Sequence, residues 1–433
     1  MTPQAALTLL APVSRAHEAT LRALLDGMNT APGRVDPNNA LIPFARFDTL
    51  HNARLVVLDD HTADDLRLHG VTPPRRPLYF ALLADIDGSE DEFLDLLVIR
   101  AEAGLHTLFA CCEGYQPDAD LRGWLQRLRV RSSAAYVNTR GRTVQQAREE
   151  AALKRALDAH LAAEGQAYKH LAPAVVHARL RGFVEGERVA GRLILSAPGP
   201  TPPAWYVANL LHLVGLPLLA LALSPLLALA AVFYLPALRR HERTDPAPVM
   251  HVTQAHSETL ALAEDHFVTN QYSALGSRKP GLLRRLSIVG VLLAVNYAAR
   301  HLTRRGRLGR IRTIHFARWV LMDGTGRLAF FSSYDGNAES YMDDFINKAG
   351  FGLNVFASNG VGYPRTRWLL LDGAADELRF KDYQRRHTVP SQVWYKANPD
   401  LTAVDLERNT RIREGLMAPT LDDTAAAAWL ALL

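Results

Sequence analysis

The sequence predicts an α+β fold in which one hairpin-and-helix unit is written twice, with a membrane segment inserted between the copies. Three observations carry this expectation. A phrase of the form His-x-Ala-Arg, an apolar run and Asp appears as "HNARLVVLD" from His51 and again as "HFARWVLMD" from His315. Residues 81–115 align without a gap on residues 329–363, and a block from Tyr136 aligns on one from Tyr395. Between the copies, Trp205 to Leu235 contains no Lys, Arg, Asp or Glu. Three collinear matches are too many for coincidence, and they mark a duplicated domain.

Taken in order, residues 1–30 read as an amphipathic helix, because "MTPQAALTLLAPVSRAHEATLRALL" has no basic start before its apolar run. Repeat one covers 31–165. Its strand from His51 and its return strand "ALLADIDG" (81–88) enclose a Pro-rich tip, "HTADDLRLHGVTPPRRP". Ser89 with Glu92 makes a capping box that opens a helix over 89–103, and "LHTLFAC" (105–111) reads as a strand. Residues 166–203 form a linker and 204–238 the membrane segment. Residues 239–308 form a basic linker holding an interfacial helix, "LSIVGVLLAVNYAA" (286–299).

Repeat two covers 309–420. The strand Ile314–Met322 turns at "DGTG" and returns as "RLAFFSSY". Asn337 caps a helix over 337–349, "LNVFAS" (353–358) and "QVWYKA" (392–397) read as strands, and Thr402 to Leu416 closes the repeat as a helix. Residues 421–433 are a tail. With the turn at 323–326, His315 falls opposite Tyr334 and meets Asp335-Gly336 at the hairpin's open end. Copy one carries its extra residues at the tip, so His51 meets Asp87-Gly88 in the same way. Units of this kind predict tandem ferredoxin-like repeats, and two such sheets face to face make a pseudo-dimeric α+β barrel.

Hydrophobic residues make up 48% and charged residues 21%, which excludes a disordered chain. The net charge of +5 is concentrated in arginine clusters at 239–243, 278–285 and 300–312, beside the most apolar stretch. That placement suits an anionic lipid surface, and without a nucleic-acid motif it argues against nucleic acid as a partner. Cys111 and Cys112 are adjacent, so they build neither a disulfide framework nor a zinc site, which fits a reducing compartment. Aromatic residues at both ends of the 204–238 segment and Arg239, Arg240 and Arg243 beyond it read as interfacial anchors. Pro217 and Pro225 favour a break, hence a re-entrant hairpin with both repeats cytoplasmic; a single span is the alternative. The oligomeric state is not legible.

His315 and Arg318 lie on opposite faces of one strand, with His51 and Arg54 in the same places in copy one. An imidazole beside Asp335 fits a proton carrier or metal ligand. The plainer alternative is a histidine that braces the hairpin against a turn, in both copies, through Asp87 and Asp335. Copy two adds Arg385, Arg386, His387, Trp394, Tyr395 and Asn409. Hydrolase, zinc-protease and dinucleotide motifs are absent from the sequence.

The stretches "SSYDG" (332–336) and "ADIDG" (84–88) resemble the Gly-x-x-Asp-Gly motif of dimeric α+β barrel haem proteins, notably dye-decolorizing peroxidases. Ser332 and Ala84 stand where that family has its first Gly. The resemblance implies a haem cofactor, with Asp335 as distal acid, Arg318 as a distal charge and His387 or His315 as axial ligand to the iron. Tyr395 would join His387 in holding the cofactor, and His51, Arg54 and Asp87 would be structural counterparts. The expected function is then a membrane-associated, peroxidase-like oxidoreductase acting on an apolar small molecule or lipid. The alternative is a non-catalytic membrane protein whose duplicated domains bind membrane lipid or a protein partner.

Overall fold

Two four-stranded antiparallel sheets organise the chain, which is mixed α/β. The computed structural model describes residues 1–118, 120–303 and 306–433; Arg304 and Arg305 of the third arginine cluster lie outside the described residues. The first half runs β1 (Gln4–Val13), α1 (Glu18–Asp26), β2 (Leu50–Leu58), β3 (Leu78–Asp87), α2 (Glu90–Phe109), α3 (Leu121–Leu128), β4 (Ala134–Val137) and α4 (Val144–Glu164). Helices α5 (Pro173–Val189), α6 (Pro203–Ala222) and α7 (Ser224–Thr244) follow. The second half repeats the first: β5 (Thr269–Ser277), α8 (Leu282–Tyr297), β6 (Ile314–Met322), β7 (Arg327–Asp335), α9 (Ala338–Ala357), α10 (Glu377–His387), β8 (Val393–Lys396) and α11 (Ala403–Met417), before α12 (Asp423–Leu430).

Sheet one has the order β1-β3-β2-β8 and sheet two the order β5-β7-β6-β4. Each sheet therefore takes three strands from one half and its last strand from the other. Tyr395 pairs with Ala53 in sheet one, and Tyr136 pairs with Ala317 in sheet two. The sheets face each other across a core that includes Val56 and Leu83 from one and Val320 and Phe331 from the other. Their outer faces are covered by helices: Leu9, Leu55 and Leu82 pack under α2 and α3 in a filled core. Burying such a side chain contributes roughly 1.5–3 kcal/mol.

Several expectations are corrected. Residues 4–13 form a strand and not a helix, because they are buried on both sides: Leu7 and Leu9 face the helices while Leu10 faces sheet two. An apolar run buried on both faces has no alternation to give it away. Repeat one thus begins at β1 rather than at 31, and repeat two at β5, inside the expected 239–308 linker. Residues 105–109 and 353–357 are not strands but the last turns of α2 and α9, where Leu105 and Leu108 keep helical spacing into the core. The 166–203 linker and 421–433 tail contain α5 and α12, which join α4 and α11 through Leu180, Ile412 and Trp429.

Among the described residues, two helices, Pro203–Ala222 and Leu282–Leu302, are long and apolar enough to cross a membrane. α6 and α7 are separated by Leu223 alone, at φ −85° and ψ −1°. Nearly every side chain of α6 is exposed. Both helices touch α8, with the Tyr297 hydroxyl on the Leu213 carbonyl (3.0 Å) and Tyr234 on Ser287 (2.7 Å).

Candidate functional site

The repeated phrase builds two braces. In copy two, His315 Nε2 donates to Asp335 Oδ1 (2.6 Å), and Asp335 Oδ2 accepts the Ala403 N–H at the start of α11 (2.7 Å). In copy one, His51 Nε2 donates to Asp87 Oδ1 (2.9 Å), and Asp87 Oδ2 accepts the Val144 N–H at the start of α4 (2.8 Å). A carboxylate at a helix N-terminus satisfies an orphan donor and favours the dipole. Each brace ties a hairpin's open end to the helix that follows the exchanged strand. Thr269 adds a further hydrogen bond to Asp335 (2.6 Å). Burial pushes the Asp335 carboxyl up, but His315, Thr269 and Ala403 outweigh it and hold it below its ordinary value. Burial also keeps the His315 imidazole below its ordinary value, against the opposing pull of Asp335.

The paired arginines build two clasps. Arg318 reaches out of sheet two to the carbonyls of Leu7 and Ala84 (3.1 Å for Ala84), to the Thr8 hydroxyl (3.1 Å) and to the Asp85 carboxylate. Arg54 reaches the other way, to the carbonyls of Tyr272 and Ser332 (2.8 Å each) and the Ser273 hydroxyl (3.3 Å). The acceptors occupy matching places in the two halves, except that Ser333 stands where copy one has Asp85. Burial pushes the Arg54 guanidinium down to about 9, and its Cζ lies 5.1 Å from the centre of the Trp394 ring. Both arginines are therefore spent on holding the sheets together.

The halves differ beneath their helices. Between sheet two and the helices α8, α9 and α10 lies an apolar chamber of about 480 Å³, within the usual 300–1,000 Å³ of a ligand site. At the matching positions of copy one, Leu9, Leu55, Phe109, Trp124 and Leu128 are buried together in the core. Strand and helix alignment explains part of this: Ala274, Gly276 and Ala357 line the chamber where copy one has Leu9, Ala11 and Phe109. His387, at the end of α10, takes the place of Leu128. Its Nδ1 donates to the Tyr383 carbonyl (2.8 Å), which leaves the Nε2 lone pair unused by that bond. Burial pushes its pKa down to about 4, so the ring is neutral at pH 7. Its ring also lies so close to Gly276 that a Cβ there would come within 2.6 Å of it.

Among the expected site residues, only His387 lines this chamber. Asp335 and His315 meet each other, but in the brace; Arg318 lies between the sheets; Tyr395 stacks on Phe44 (5.1 Å) in the core of sheet one. The residues present fit a haem group only in part, since a neutral, oriented imidazole faces an apolar space while the expected distal acid and charge are engaged elsewhere. Among the described residues, no group of three His, Cys, Asp or Glu side chains converges as a metal site. The chamber's signal in the sequence lies in the match of β5 to β1, where Ala274 stands for Leu9 and Gly276 for Ala11. Comparison with protein-family models, with curated proteins and with solved structures finds no match to this chain.

Proposed function

We propose that this is a membrane-associated protein whose second repeat binds a single-chain apolar ligand, on a scaffold of tandem ferredoxin-like repeats closed into a pseudo-dimeric α+β barrel. The observation that carries it is the asymmetry of the duplication: a chamber under α8 to α10 where the matching residues of copy one are core. The chamber wall includes Val295, Ala298 and Ala299 of the apolar 282–302 helix, so a ligand dissolved in a bilayer has a short route in.

Sheet order constrains how the chain sits on a membrane. β4, β5 and β6 share one sheet, so the bilayer is crossed an even number of times between each pair. One helix, α8, joins β5 to β6 and thus makes no net crossing, and α6 with α7 must enter and leave by one face. Both repeats belong on the same side, as a re-entrant or in-plane segment requires and a single span forbids. We expect the protein to pellet with membranes and deletion of Trp205–Leu238 to release it. Protease added to one side should cut both repeats or neither; cutting copy one alone would overturn this seating.

Binding is tested with a polyene fatty acid whose fluorescence rises in apolar surroundings, titrated into detergent-purified full-length protein. Saturable binding should weaken at least about tenfold in the Ala274→Leu, Ala357→Phe double variant, which writes copy one's residues into the chamber. Unchanged affinity in that variant would remove the chamber as the site.

A second reading rests on His387 alone: haem in the same chamber, with peroxidase-like oxidoreductase chemistry on an apolar substrate. When bound, haem would supply redox chemistry at its iron, and the His387 imidazole, oriented by the Tyr383 carbonyl, would hold it. Haem added to the purified protein should then give a Soret band that survives gel filtration and is lost in His387→Ala. No surviving band would leave the apolar-ligand reading standing alone.

A further inference from the structure

The end of α7 carries a second candidate site, remote from the chamber. Trp368 and Leu369 have φ of 60° and 62°, the left-handed region that residues with a Cβ rarely adopt. They are held there by Glu242 of α7, a buried carboxylate. It accepts the N–H groups of Trp368 (2.9 Å) and Leu369 (2.7 Å) and the Thr366 hydroxyl (3.1 Å). Arg239 completes the knot, donating to Glu242 (2.8 Å) and to the Thr366 carbonyl (3.3 Å). The outcome of this strained loop is an indole left 42% exposed, with the Arg239 guanidinium 5.9 Å from its ring. A large apolar ring is presented to the outside at some conformational cost, and such outliers point towards function.

Trp368 closes an open groove of about 500 Å³ whose other wall is one face of α7: Leu235, Pro236, Arg239, Arg240 and Arg243. Those residues recur at helical spacing, apolar first and then cationic. Arg239 has its carboxylate in Glu242. Arg240 and Arg243 are exposed and make no ion pair among the described residues. The groove thus offers two free guanidiniums and an indole at the point where an exposed apolar helix ends. Leu227, Val232 and Phe233 are exposed on that helix.

We propose that this groove binds the phosphodiester headgroup of an anionic phospholipid, with its acyl chains along the exposed apolar residues of α7. Guanidinium forks match phosphate oxygens, and indoles favour the headgroup level of a bilayer. A phosphorylated peptide would satisfy the arginines but leave the adjoining leucines uncovered, so the lipid is favoured. The proposal rests on the membrane seating argued above and is independent of the chamber.

Full-length protein is placed in phosphatidylcholine nanodiscs doped with brominated phosphatidylglycerol or brominated phosphatidylcholine, and tryptophan quenching is read. Subtracting the Trp368→Phe signal isolates the share due to Trp368. That share should show a roughly tenfold preference for phosphatidylglycerol, at about 1 kcal/mol for each of two arginines near the surface, reduced by exposure. The preference should vanish in R240Q/R243Q while circular dichroism is unchanged. Equal quenching by both lipids, or a preference that survives R240Q/R243Q, would overturn the site. Abolition of the preference by inorganic phosphate would make it a free-phosphate site and overturn the lipid assignment. Failure of the full chain to pellet with membranes would remove the seating and this proposal together; pelleting with equal quenching removes this proposal alone.

Discussion

Arg318→Met should lower the unfolding free energy by about 3–5 kcal/mol, the largest loss expected from any single change in the braces and clasps. The substitution keeps the length and apolar stem of the side chain. It removes the donors that serve the Leu7 and Ala84 carbonyls and leaves the buried Asp85 carboxylate without its cation. Arg54→Met should cost less, about 1–2 kcal/mol, because its acceptors are two carbonyls and a hydroxyl with no carboxylate among them. Pairing Arg318→Met with Asp85→Ser, the residue type found at Ser333, should recover most of the loss. Chemical denaturation of the detergent-solubilised protein measures all three. Equal losses from the two arginines would show that Asp85 is not what separates them.

Asp335→Asn and Asp87→Asn should each cost about 1.5–3 kcal/mol, the range for hydrogen bonds to a charged group. In each case one carboxylate oxygen serves a histidine and the other a helix N-terminus. An amide in its place is neutral, and its NH2 group cannot accept either donor. The symmetry of the braces predicts symmetry of the losses. The folded value of Asp335 is depressed, so its contribution is fully present above the unfolded value near about 3.9 and is lost as the pH falls through the folded value. The acid limb of the stability profile should therefore flatten in Asp335→Asn. A loss confined to Asp335→Asn, with Asp87→Asn neutral, would mean that the two copies of the phrase do different work.

Much of the fold was legible because duplication makes a chain comment on itself. His51 and His315, Asp87 and Asp335, Tyr136 and Tyr395 each lie where the ungapped alignment places them. The hairpin turn at 323–326 was readable from its chemistry, and Asp323, Gly324 and Thr325 do adopt positive φ. What failed were segments whose pattern is ambiguous between two periods. "QAALTLLAPV" is apolar on both faces of a strand, and "LHTLFAC" continues a helix whose backbone departs from helical geometry at Ala101 (φ −138°). The missed first strand had a further cost, since the chamber's small residues on β5 are visible only against it. The resemblance implies Arg318 as a distal charge; no local pattern in the sequence reveals that its face of the strand meets another sheet.

The exchange of β4 and β8 has a consequence for how the chain is made. Leu55 of β2 finds its partner in Val393. About 340 residues separate them, and at the ~5–20 residues per second of synthesis, that is roughly 20–70 s on the ribosome. During that interval the first sheet is a three-stranded fragment with an open edge, a template for pairing with the wrong chain. Meanwhile the most apolar part of the nascent polypeptide, α6 and α7, emerges. Biogenesis of this protein should therefore depend on whatever shields that edge until Val393–Lys396, in the last tenth of the chain, has left the exit tunnel.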